Sequence, residues 1–140
     1  FLEEENSSLW IGSVKGLDLR GYAVELFPKL RLSEESEIEK LSLDSDSPVE
    51  ISEMLEMENS SIWVGKMKKV SLTGSSVEIL PKLRFHYENV MEKLEMDAYD
   101  PGHITSILKT ENNSICVGKV KSLKVGGYAV GILPKLKIHM

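Results

Sequence analysis

Basic side chains carry the chemistry that this sequence spells most plainly. Lys66, Lys68, Lys69, Lys82 and Arg84 fall in one stretch, and Lys119, Lys121, Lys124, Lys135 and Lys137 form a second. Cations grouped in this way neutralise phosphates, and Trp63, Tyr22 and Tyr128 would stack bases beside them. The same groups could instead meet acidic stretches of a neighbouring segment or a second chain, fixing orientation at little net affinity. The second reading is favoured, because Cys116 stands where Trp63 stands one copy earlier. A stacking platform would keep its aromatic ring.

Other reactive groups do not assemble. Asp97, Asp100 and His103 have the look of a metal cluster, but the matching residues 53 positions earlier are Asp44, Ser47 and Glu50. That set reads as a helix cap. His86 and His139 are equivalents of each other rather than partners of His103. Cys116 takes a packing position, and nothing beside it in sequence supplies a base or positive charge to activate it. Phosphate-cradling glycine loops, nucleophile elbows and metal-binding helix motifs do not occur. The expectation is a protein that is not an enzyme and has no cofactor.

The elements that position these groups come as a repeat. Glu5-Asn6-Ser7-Ser8-Leu9-Trp10-Ile11-Gly12 returns at Glu58–Gly65 and at Glu111–Gly118, with an offset of 53 both times. Phe27-Pro28-Lys29-Leu30-Arg31 recurs as Leu80–Arg84 and Leu133–Lys137. A fixed period of this size means one supersecondary unit, each copy burying its apolar face on the next. The copies are taken as 1–32, 33–85 and 86–140, the first truncated at its N-terminal helix. Phe1 and Leu2 match Met54 and Leu55, mid-repeat, so the chain reads as a fragment.

Within a copy, Ser47-Pro48-Val49-Glu50 starts a helix: a capping hydroxyl, proline at the first position and an acid in the first turn. Ile51, Met54 and Leu55 follow at helical spacing, and Asp100-Pro101 with Ile104, Ile107 and Leu108 repeats the logic. Ile62–Leu72 reads as a strand bent at Gly65. Turns at Gly21, Gly74 or Gly127 then lead into a second strand, as over Val77–Phe85, where Pro81 marks an edge or an irregularity. Glu39–Leu43 and Glu92–Met96 add a third short strand or one helical turn. The fold class is α+β: three tandem units of about 53 residues, each a β-hairpin with a short α-helix. The alternative, an all-β trefoil-like body, suits three copies but not the proline-initiated helices.

Charge alternates along the chain. Ser33–Glu58 holds ten acids and one lysine, a balance of −9, whereas Asn59–Arg84 stands at +4. His86–Glu111 returns to −4, and Asn112–Met140 reaches +5 with no acid. With 41% apolar residues in 140, the chain can bury a core. One cysteine rules out an internal disulfide, and no apolar run reaches the roughly 20 residues of a membrane span. A cytoplasmic location follows as the default. The sequons at Asn6, Asn59 and Asn112 read as turn formers.

Two resemblances are local. Val117-Gly118-Lys119-Val120-Lys121 with Gly127-Tyr128-Ala129-Val130 resembles the opening hairpin of an RNA-binding OB-fold. It covers about 15 residues per copy, and five such strands do not fit one unit beside a helix. Ser71-Leu72-Thr73-Gly74 is similar to part of the PilZ nucleotide-binding signature, but Lys69 stands where an acid belongs. Neither family is carried over. The expected function is a non-catalytic repeat module, its partner another protein or copies of itself, with nucleic-acid binding as the alternative.

Overall fold

The computed structural model describes residues 9–11, 14–32, 37–59, 61–86, 88–112 and 114–139. Phe1, Leu2, Asn6 and Gly12, named above, lie outside them. The chain starts with β1 (Leu9–Ile11) and β2 (Val14–Arg20), then a 3-10 segment over Gly21–Lys29. β3 (Leu30–Leu32) and β4 (Glu37–Ser45) precede a 3-10 turn at Pro48–Ile51 that runs into α1 (Ser52–Leu55). β5 (Ile62–Gly74) leads to the 3-10 segment Ser75–Lys82, then β6 (Leu83–Phe85), β7 (Val90–Met91) and β8 (Lys93–Ala98). Pro101–Ile104 and α2 (Thr105–Leu108) follow, then β9 (Ile115–Val120), β10 (Leu123–Gly127), a 3-10 segment over Tyr128–Lys135 and β11 (Leu136–His139).

The class is mixed α+β, and its sheets are parallel. β2, β4, β5, β8 and β10 lie side by side in chain order, with β6 joining the first part of β5. Val14 faces Ile38, 24 positions on, and Ile38 faces Met67, 29 further. The same alternation continues: Lys69 faces Lys93, and Leu94 faces Leu123. Two inward columns result. Leu41, Leu43, Val70, Leu72, Leu94 and Met96 are at most 1% exposed, while Leu17, Leu19, Leu123 and Val125 close the columns half-buried at the sheet edges. Each fully buried side chain of this size stabilises the fold by about 1.5–3 kcal/mol relative to exposure.

A third side of the body is built from the 3-10 and short helical segments, which pack on one another in the same chain order. A 3-10 helix has three residues per turn, so positions three apart share a face. Val24 with Phe27, and Val77 with Leu80, use that spacing to point inward and are buried. Smaller parallel sheets of β1 with β3, and of β11, β9 and β7, form the remaining side.

The helix starts stand as expected. The Ser47 hydroxyl accepts from Val49 N–H and the Asp100 carboxylate from Gly102 N–H. Ile51, Met54, Ile104 and Ile107 are buried behind them. The bend at Gly65 is present too: its φ is 66°, and the β5–β6 register shifts between Trp63 and Gly65.

The hairpins are not. Every strand pair among the described residues is parallel, which also removes the trefoil-like alternative. Gly74 turns the chain with φ 66°, yet Ser75–Lys82 then crosses over, so that Leu83 lands beside Ile62 at the start of β5. The alternation in Val77–Phe85 does not make one strand: Val77, Glu78, Ile79 and Leu80 are all buried in the 3-10 segment, with no outward set. Pro81 sits in the 3-10 segment rather than on a sheet edge. Gly74 is needed for contact as well as for its dihedral: a Cβ there would lie 2.1 Å from the Ser45 carbonyl oxygen of the adjoining strand. The segments taken as an optional third strand, around Leu41 and Leu94, are β4 and β8, inner strands of the main sheet.

Leu94→Ala should cost about 2–5 kcal/mol in urea unfolding, because both neighbouring strands hold the surrounding wall in place. Leu17→Ala, in the same row at the sheet edge, should cost less than half as much.

Candidate functional site

Parallel registry converts the outward side chains of the main sheet into tiers running across the strands. One tier is Gly16, Lys40, Lys69 and Lys93, read from consecutive registers. Lys40 and Lys69 are exposed, and Lys93 is half-buried. Neighbouring strands are about 4.8 Å apart, so these three cations stand next to one another.

Two residues further along each strand, the tier reads Asp18, Ser42, Ser71, Glu95 and Lys124. Lys124 lies 3.5 Å from the Glu95 carboxylate. The next outward tier is Arg20, Asp44, Thr73, Asp97 and Gly126. Arg20 turns back to Asp18 at 3.3 Å, and this bond holds its guanidinium above its ordinary pKa. Partial burial raises the Asp44 pKa, with the negative charge of Asp46 adding to it. Beyond the strand ends stand Tyr22, Tyr99 and Tyr128, all more than half exposed. The Tyr99 hydroxyl donates to the Asp46 carboxylate, which pushes the phenol pKa up to about 12. His103, buried beneath, meets the Tyr99 ring edge-on at 4.7 Å between centroids, and its Nε2 lies 2.9 Å from the Asp46 carbonyl oxygen. The lysine tier and the tyrosines are thus separated by two tiers that carry acids.

The ten basic residues singled out from sequence do not form one track. Lys66, Lys68 and Lys69 belong to β5 and Lys124 to β10 of the same sheet, whereas the Lys121 N–H donates to the Met91 carbonyl on β7. Lys82 points to Asn59 at 3.4 Å, and Lys135 donates to the Thr110 carbonyl at 2.7 Å. Those two tie the ends of 3-10 segments to the loop beside them. Arg84 lies over the Trp63 ring at 5.1 Å, while Lys119 and Lys137 sit on β9 and β11 in a different sheet. Lys40 and Lys93 complete the tier with Lys69, and sequence reasoning passed over both. Each is nearly alone in an acidic stretch, and only registers of 29 and 24 positions bring them to Lys69. The signal was present as an apolar-x-x-apolar-x-apolar pattern at 38/41/43, 67/70/72, 91/94/96 and 120/123/125.

The remaining candidates fall elsewhere. Asp100 serves as a cap and His103 is held at Asp46, and among the described residues no group of three could hold a metal. Cys116 is exposed rather than packed, a correction to its sequence reading. It shares the outward position of Trp63 on a strand but is too short to lie back on the surface as the indole does. A recess of about 80 Å³ between Leu55, Glu78, Lys82 and Ile107 is well below the volume of a small-molecule site. No helix among the described residues is long and apolar enough to cross a membrane.

Asp44→Asn should raise the melting temperature at neutral pH. The raised native pKa means that ionised Asp44 disfavours the fold, and the penalty disappears as pH falls below its ordinary 3.8. Paired thermal melts at both ends of that range check the sign. No protein-family model matches the chain, and neither a curated protein nor a solved structure does.

Proposed function

We propose that the chain is a solenoid of leucine-rich-repeat type that works as a non-catalytic recognition module, binding a partner protein on the outer face of its main sheet. The three tandem 53-residue units are then each two passes of the solenoid, of 24 and 29 residues. Support comes from the apolar spacing, from periods within the 20–29 residues of such repeats, and from the strand-plus-3-10 content of each pass.

The observation that carries the functional half is the uncovered face. Parallel sheets are ordinarily sheathed on both sides. Here one side is packed, while the other offers Lys40, Lys69, Ser42, Ser71, Thr73, Glu95 and Asp97 with no element laid over them among the described residues. Ordered polar side chains on a rigid backbone lattice favour specific contact, since little entropy is lost on binding. An intracellular setting suits the exposed Cys116 thiol.

Self-association is the second reading, and a different observation favours it. Val130 is 52% exposed and Leu133 36%, whereas Val77 and Leu80, their counterparts one unit earlier, are covered by the following pass. A second copy stacked on this face, or a further pass of a longer chain, would cover them, the former by a head-to-tail contact that extends rather than closes.

A photo-crosslinking side chain at Ser71 should trap a partner protein in cells, and one at Lys137 should not. Equal adducts at both positions, or none at Ser71, overturn the proposal. If copies stack, the sedimentation coefficient should rise with concentration and Val130→Asp should abolish the rise.

A further inference from the structure

Lys40, Lys69 and Lys93 are direct neighbours on adjoining strands, an arrangement that costs stability because like charges face one another. None of the three ammonium groups has an ion pair or hydrogen bond among the described residues. Elsewhere on the face, charges alternate or pair: Lys68 adjoins Glu92, and Lys124 meets Glu95. The fold therefore keeps one uncompensated strip of positive charge among compensated ones.

The strip is narrow. Glu39 and Glu92 immediately precede it in the chain, and Asp18 and Glu95 stand two residues beyond it. Asp44 and Asp97 lie in the tier after that, before any tyrosine is reached. A nucleic-acid strand needs width for phosphates, sugars and stacked bases, so it would set its phosphates against those carboxylates. A single extended polypeptide lying across the strands would not. Over the roughly 10 Å from Lys40 to Lys93, it places about three residues. Ser42 and Ser71, half-buried in the adjoining tier, add hydroxyl donors on the same side.

We infer that the Lys40–Lys69–Lys93 tier is the seat of an acidic segment of the partner protein, a short run of consecutive aspartates or glutamates running across the strands. The inference rests on the sheet face being the recognition surface and specifies what that surface selects. Each ammonium forms a charge-assisted bond to a carboxylate, and the repulsion within the tier is relieved on binding.

A fluorescent oligoglutamate peptide titrated with the full chain at about 50 mM salt tests it by anisotropy. Saturable binding is expected, weakened about tenfold by Lys69→Gln and changed less than about twofold by Lys137→Gln. Lys69→Arg should keep the binding, and Lys69→Gln should melt no lower than the parent, so a folding defect would not be mistaken for lost contact. Equal loss from both glutamine variants, no binding, or an oligothymidylate binding as tightly with the same Lys69 dependence overturns the inference. Should crosslinking from Ser71 still trap a partner while oligoglutamate does not bind, the recognition face stands and the acidic specificity falls; failure of both removes both.

Discussion

Backbone registry between parallel strands is the constraint from which the rest follows. Leu17, Leu41, Val70, Leu94 and Leu123 form one column because each strand is laid beside its predecessor without slippage. A shift of one residue would send the whole apolar set to the surface and the lysines into the core. That penalty falls on every strand at once, so the tiers on the outer face are as well determined as the columns beneath them. Placement of three ammonium groups side by side is thus a product of hydrophobic packing rather than of any attraction between them.

Neighbouring strands of the main sheet meet closely where the chain turns. Gly74 and Gly127 let the ends of β5 and β10 approach the carbonyls of Ser45 and Ala98, leaving no room for a side chain. At the opposite corner the Asn89 side chain accepts from Met67 N–H at 2.8 Å, taking the place of a strand neighbour. Ser45 and Ser76, both buried, bond each other at 2.8 Å. Ser45, Ser76 and the Asn89 carbonyl oxygen thus find partners at the corners, whereas Ser75 Oγ, Asn89 Nδ2 and His103 Nδ1 are buried without one among the described residues.

Much of this was legible in the letters, and the failures have physical causes. Ser47-Pro48 and Asp100-Pro101 announced their helices because capping is a local effect, decided within one turn. Gly65 announced its bend for the same reason. Strand pairing is not local. Gly74 looks alike whether it closes a hairpin or opens a crossover, and only what Leu83 lies beside decides between them. The 53-residue likeness was so strong that it hid a weaker one inside it, in which Lys40-Leu41-Ser42-Leu43 of β4 and Lys93-Leu94 of β8 match Lys69-Val70-Ser71-Leu72 of β5. With that likeness unseen, Lys40 and Lys93 were isolated cations in acidic surroundings. Charge counted along the chain could not reveal charge summed across strands.

The polar face and the apolar columns share a backbone but not their side-chain neighbours: Lys69 and Val70 are adjacent in sequence and point to opposite sides of one strand. Selection can therefore rewrite what the sheet displays, letter by letter, without disturbing what it hides. Descendants of such a chain would keep their architecture while changing what the outer face presents.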